Sequence, residues 1–172
     1  MPWFRKKPKS LGEPPPAGVP LPPHKITSQF SEKNISFLEP SLSKTQLLVQ
    51  MIDHLDIDDA VLALNRVTAR EEMGATLVMP GVSLPHARLA GLERIMAAIG
   101  ICPSGFPDPA AEGPVFAYFL FVSPKENTAL HLRYLAGVSA IFQTEGLLEE
   151  LRAMTTSQAI YERLKKAEEL LP

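Results

Sequence analysis

A single cysteine, a single tryptophan and a net charge of only −2 deprive this 172-residue chain of the cues that usually betray a ligand through composition. Cys102, having no second cysteine to join, excludes an internal disulfide and a cysteine-built metal cage. It fits a reducing compartment, and the plainest place for it is a small buried site. With 17 basic and 19 acidic side chains, no strong field of one sign favours nucleic acid or an anionic membrane. No apolar run approaches the roughly 20 residues of a membrane-spanning helix, and the first residues lack a secretion-type apolar core. The expectation is a cytoplasmic protein with no stable membrane insertion and no nucleic-acid partner. No internal repeat is present, and no two histidines stand in a close His-x-x-x-His spacing, so no metal site is expected.

What the chain does have is an uneven distribution of proline. Eight of the 17 prolines fall within residues 1–29, including Pro14-Pro15-Pro16 and Pro20-Leu21-Pro22-Pro23. Such a segment favours extended polyproline II and offers no periodic apolar face, so 1–29 reads as a flexible tail and 30–172 as one folded domain.

The folded part opens with a short strand at Ile35-Ser36-Phe37-Leu38. A helix follows, capped by Ser41 or Ser43, that carries Leu47, Leu48, Met51, Ile52 and Leu55. A second helix, capped by Asp58 or its neighbour, places Val61, Leu64 and Val67 on one face and ends near Gly74, with Arg70 in its last turns. Short strands around the Pro80-Gly81 turn bring His86 to a strand end. The continuous apolar run Val115 to Val122 predicts a strand covered on both faces, and Ile95 to Ile101 predicts its neighbour. The Pro103 to Gly113 segment between them is either a hairpin-like connection or irregular. Helices over about 127–142, 145–153 and 156–170 complete the chain, the first with a stripe of Leu132, Leu135, Val138 and Phe142. A small mixed sheet with helices on both faces, an α/β sandwich, is the fold this order predicts.

Three residues invite chemistry. His86 follows Pro85, whose ring fixes its own φ and pushes Leu84 into an extended conformation, so the imidazole is carried on a pre-set backbone, as an aligned nucleophile requires. His131, 45 residues on, falls in the first turn of the helix that Asn127 caps, where amides stabilise anions and the dipole keeps an imidazole neutral. Arg70, 16 residues before His86, carries a permanent charge in a fork that matches phosphate oxygens. Taken singly, each has an ordinary reading: a loop histidine, a partly buried structural histidine, and an arginine complementing a helix dipole. His24 in the tail and His54 near a helix end read as solvated.

Together, Arg70-Glu71-Glu72-Met73-Gly74, Gly81-Val82-Ser83-Leu84-Pro85-His86-Ala87-Arg88 and His131-Leu132-Arg133-Tyr134-Leu135-Ala136 resemble, in order and spacing, the fructose/mannitol-type (type 2) enzyme IIA domains of the bacterial phosphotransferase system, whose nitrogen-regulatory branch is included. The resemblance spans about 30–170, with Asn34-Ile35, Ser43-Lys44 and Ser123-Pro124-Lys125 also in place. It departs at Val78-Met79-Pro80-Gly81, where many members carry a Gly-x-x-Gly-like turn, and in the proline-rich extension. The resemblance implies that His86 accepts a phosphoryl group from the phosphocarrier HPr. It implies further that His131 and Arg70 stabilise that group and that no metal or organic cofactor takes part. The implied recipient is a regulatory target protein, in a nitrogen-type regulator, or the cysteine of a IIB domain, in a sugar-transport component. The absence of a IIB or membrane segment from the chain favours regulation, and the presence of Arg70, His86 and His131 disfavours a scaffold that takes no phosphate.

Overall fold

The run Val115 to Val122 contains no charged residue to turn toward water, and in the computed structural model, which describes residues 25–172, it forms the centre of a six-stranded mixed sheet. In chain order the strands are β1 (Ile35–Phe37), β2 (Leu77–Met79), β3 (Val82–Ser83), β4 (His86–Leu89), β5 (Met96–Phe106) and β6 (Val115–Pro124). β5 lies antiparallel to β6 on one side, with Met96 opposite Val122 and Ile101 opposite Ala117. On its other side β6 receives β3 and then β4, both parallel. β1 adds parallel to β5 at one edge, and β2 closes the other against β3. The long β5 runs through the Pro-Ser-Gly stretch with an irregularity between Ile101 and Phe106, so the 103–113 segment is partly strand and partly a hairpin connection.

The two faces of the sheet bury separate cores. α1 (Lys44–Asp53) and α2 (Ala60–Glu72) cover Ala98, Tyr118, Leu120 and Val122. α3 (Thr128–Phe142), α4 (Leu147–Ala153) and α5 (Ser157–Glu169) cover Ile99, Ala117, Phe119 and Phe121 on the opposite face. The fold is therefore the expected α/β sandwich. Side-chain oxygens cap four of these helices: Ser43 accepts from the Gln46 amide, Asp59 from Leu62, Asn127 from Leu130 and Thr156 from Ala159.

Three expectations need correction. The buried stripe of α3 is His131, Tyr134, Val138, Ile141 and Phe142, whereas Leu132 is 53% exposed. Polar side chains occupy only Thr128, His131, Arg133 and Ser139 of this helix, so hydrophobicity alone does not choose its inner face; Tyr134, ring to ring with Phe119 and Phe121, does. In α2 the sheet side belongs to Ala63 and Val67, and Val61 faces water. Six residues turn an α-helix by about 600°, which leaves Val61 roughly 120° away from Val67. Residues 25–29, expected in the tail, are folded. Ile26 is buried in the α3/α5 core, and Thr27–Gln29 form a turn of 3₁₀ helix whose start is held by Glu168: the Ile26 amide and the Thr27 hydroxyl both donate to its carboxylate. The rest of the proline-rich segment, residues 1–24 with His24, lies outside the described residues.

The altered turn keeps the glycine that geometry demands. Gly81 has φ +86°, and a Cβ there would lie 3.0 Å from Phe116 Cδ2 and 3.2 Å from Leu148 Cδ2. Val78 sits in the irregular stretch of β2 between Leu77 and Met79, with no positive φ, so a β-branched residue fits there.

Candidate functional site

β3 and β4 are one extended path interrupted at Leu84-Pro85. Proline has no N–H to give the ladder, so the chain steps from one parallel pairing with β6 to the next. The step leaves the Pro85 carbonyl to accept from the Phe121 amide at 3.1 Å and sets His86 directly beside Phe121. His86 is thus the first residue of β4, a strand the sequence reading did not separate from the turn before it.

Its imidazole is fixed from two sides. Nδ1 lies 2.7 Å from the Leu84 carbonyl oxygen, and the ring stacks on Phe121 with centroids 5.5 Å apart and planes within 12°. A carbonyl oxygen only accepts, so Nδ1 carries the proton and the neutral ring keeps its lone pair on Nε2. Burial lowers the pKa of His86; the Leu84 carbonyl opposes this, and the nearby Arg70 charge adds to the lowering. The neutral, nucleophilic form is therefore the stable one near pH 7.

His131 lies in the first turn of α3 with its ring centroid 5.3 Å from that of His86 and 5.3 Å from Phe121. Its Nδ1 is 2.7 Å from the Ser123 hydroxyl. Burial, with smaller contributions from His86 and Arg88, takes its pKa down to about 4. Of the first-turn amides, that of Leu130 is taken by the Asn127 side chain and that of His131 by the Asn127 carbonyl.

Arg70 is half-buried near the end of α2. One terminal nitrogen donates to the Gly74 carbonyl at 3.0 Å and the other to Thr76 Oγ1 at 2.9 Å. Two of its N–H bonds thus brace the α2–β2 loop, and the second hydrogen on each terminal nitrogen is left for an anion.

All three residues line one open cleft of about 350 Å³ together with Arg66, Ala87, Arg88 and Lys125. Among the described residues, four cations and no carboxylate line it. Arg66, Arg88 and Lys125 were not singled out from sequence, although Arg88 and Lys125 stand inside the Pro-His-Ala-Arg and Ser-Pro-Lys motifs. Arg88 is oriented by a 2.8 Å hydrogen bond to Thr128 Oγ1 at the start of α3. Such a site is built for an anion of several oxygens held against a nucleophilic ring nitrogen.

Behind Arg70 lies a second charged cluster. Lys44 pairs with Asp108 and, at 3.2 Å, with Glu71, while the Tyr118 hydroxyl donates to Asp108 at 2.7 Å. It ties the first turn of α1 to the last turn of α2 and to the β5–β6 connection. His54, expected to be solvated, instead donates from Nδ1 to the Lys33 carbonyl at 2.9 Å beyond the end of α1 and is half-buried. Cys102 is buried, and burial pushes its thiol pKa up, away from reactivity. No helix among the described residues is long and apolar enough to cross a membrane.

Residues 28–167 match the family model described as phosphoenolpyruvate-dependent sugar phosphotransferase system, EIIA 2. Among similar proteins, a nitrogen regulatory protein of Pseudomonas aeruginosa is 28% identical over 128 residues, 72% of this chain and 83% of that one. A fructose-specific EIIA component of the phosphotransferase system from Haloferax volcanii is 26% identical over 140 residues, 78% of this chain and 91% of that one. Among solved structures, the nitrogen regulatory protein IIA-Ntr of Neisseria meningitidis superposes with a TM-score of 0.71 at 24% identity, covering 81% of this chain and 98% of that one.

Proposed function

The chain belongs to the EIIA 2 family of the phosphoenolpyruvate-dependent sugar phosphotransferase system, and we propose that its phosphoryl acceptor is Nε2 of His86, charged by an HPr-like phosphohistidine donor. The observation that carries this is the 2.7 Å bond from His86 Nδ1–H to the Leu84 carbonyl, which reserves the lone pair of Nε2 in a cleft bordered by Arg66, Arg70, Arg88 and Lys125. In the transfer, that lone pair attacks phosphorus and the N–P bond of the donor breaks, its electron pair returning to the donor's ring nitrogen. The proton on Nδ1 stays where it is, held by Leu84. Arg70 and His131 offset charge on the phosphoryl oxygens as it builds in the transition state.

The domain that does this begins at about residue 25, and its output is regulatory: the phosphorylated and free forms differ in their affinity for a target protein. The similarity to the Pseudomonas aeruginosa nitrogen regulatory protein supports this reading. The Haloferax volcanii relative supports a second one, in which the group passes on to the cysteine of a IIB domain.

The test is incubation with phosphoenolpyruvate, enzyme I and HPr, followed by intact mass. An acid-labile gain of one phosphate, absent in His86→Ala, is expected. An unchanged gain in His86→Ala would overturn the assignment. Chasing the labelled protein with a IIB domain then separates the two outputs, since only a transport component discharges rapidly to it.

A further inference from the structure

The Ser123 hydroxyl is wholly buried at the end of β6, and its hydrogen bond runs to a histidine of the cleft. Building on the acceptor role of His86, we propose that Ser123 is a positioning residue. By donating its proton to His131 Nδ1 it fixes His131 as the Nε2–H tautomer, so that this ring presents an N–H donor, not a lone pair, to the phosphoryl oxygens.

Register and hydrogen-bond accounting support this. Along β6, Phe121 and Ser123 alternate with Leu120 and Val122, so both turn to the face covered by α3, and His131 packs on Phe121 while reaching Ser123. Across the sheet, Phe121 pairs with His86 and Ser123 with Arg88. Ser123 therefore sits under the second histidine in the same register that sets the first. A hydroxyl offers one hydrogen and two lone pairs. If His131 Nδ1 carried the proton, it would donate to Ser123, and the buried hydroxyl hydrogen would have no acceptor among the described residues. A buried donor left unpaired costs more than a spare lone pair, so the hydroxyl donates.

The consequence is a division of labour between two neutral imidazoles 5.3 Å apart. The backbone carbonyl of Leu84 puts the proton of His86 on Nδ1 and leaves Nε2 to attack. The hydroxyl of Ser123 puts the proton of His131 on Nε2, where it offsets charge on the transferred group. The opposite tautomer of His131 would set a lone pair against phosphoryl oxygens.

The tautomer is read directly by two-bond ¹H–¹⁵N correlation spectra of the imidazoles at pH 7, with no phosphoryl donor present. The expected pattern for His131 is the Nε2–H form in the wild type and a mixture in Ser123→Ala. In phosphoryl transfer from HPr, Ser123→Ala is expected to lower kcat about tenfold, the low end for loss of a histidine's outer hydrogen-bond partner, with little change in KM. Ser123→Thr, which restores the hydroxyl, is expected to recover most of that loss. A wild-type His131 in the Nδ1–H form overturns the proposal whatever the rates, as does a Ser123→Ala protein with unchanged tautomer and kcat. Should Ser123→Ala not fold, the wild-type spectrum decides alone. Should His86 accept no phosphate, the tautomer result still stands and only the catalytic consequence falls.

Discussion

His86 and His131 face each other with ring centroids 5.3 Å apart and planes tilted by 48°, and among the described residues no carboxylate lines the cleft they share. Burial keeps both rings neutral, with the Arg70 charge adding to the effect at His86 and the His86 and Arg88 charges adding to it at His131. The arrangement makes sense as a receptor for an incoming dianion, which supplies the missing negative charge.

Replacing the two supporting residues separates chemistry from binding. Arg70→Ala and His131→Ala are each expected to lower the rate of phosphoryl transfer by about 10²-fold while retaining a native circular dichroism spectrum, as loss of one charge-stabilising donor does. Arg70→Ala also removes two hydrogen bonds to the α2–β2 loop and is expected to cost about 1 to 2 kcal/mol of stability, while His131→Ala costs a similar amount by leaving the buried Ser123 hydroxyl without its acceptor.

The depressed histidine pKa values set a direction for stability against pH. His131 has an ordinary value of 6.5 and about 4 in the fold, so as pH falls below 6.5 the unfolded chain takes up the proton first. Its contribution is full above 6.5 and is lost progressively down to about 4, and His86 adds to it with the same sign. Each histidine steepens the loss by at most about 1.4 kcal/mol per pH unit. Glu71, whose pKa burial raises, works the other way and gains stability as pH falls. Urea midpoints at pH 7 and pH 5 should therefore fall less in His131→Asn than in the wild type; equal falls would contradict the assignment of the shift to this residue.

Lys44 is paired with two buried carboxylates, whose side chains are only 8% (Glu71) and 1% (Asp108) exposed. Lys44→Met is expected to destabilise the fold by about 3 kcal/mol or more at pH 7, since it leaves both charges uncompensated. Protonating the carboxylates relieves the repulsion, so the deficit should shrink by pH 4.5. Denaturation midpoints at the two pH values check this.

A chain starting at Lys25 and one starting at Phe30 differ by the segment that Glu168 anchors. Loss of the buried Ile26 side chain and of the Thr27 contacts is expected to cost about 3 kcal/mol, visible as a lower Tm for the shorter chain. Equal melting temperatures would mean that the segment contributes no core.

How much of this was legible in the sequence depended on whether a local signal existed. The capped helices, the doubly covered strand at Val115 to Val122 and the rigid Pro85-His86 step were readable, because capping, apolar runs and proline act locally. Leu132 was misplaced because apolar residues lie on more than one side of α3, and its inner face is chosen by partners on β6 that lie outside the helix. Ile26 was assigned to the tail because its environment is proline-rich in sequence, while its packing partners on α3 and α5 are more than 100 residues away. Arg70, His86 and His131 were chosen as candidates by residue type and spacing. Their meeting in one cleft with Arg66, Arg88 and Lys125 arises from the parallel register of β4 on β6 together with the packing of α2 and α3, and the hydrogen bond of Ser123 to His131 arises from the return of α3 onto β6.

The central claim is that Nε2 of His86 is the atom that becomes phosphorylated. The most direct test is ³¹P and ¹⁵N NMR of ¹⁵N-histidine-labelled protein charged through enzyme I and HPr, read for the ring nitrogen coupled to phosphorus. Coupling to Nε2 of His86 with Nδ1–H retained is the predicted result. Coupling to Nδ1, or to a nitrogen of another histidine, would contradict it.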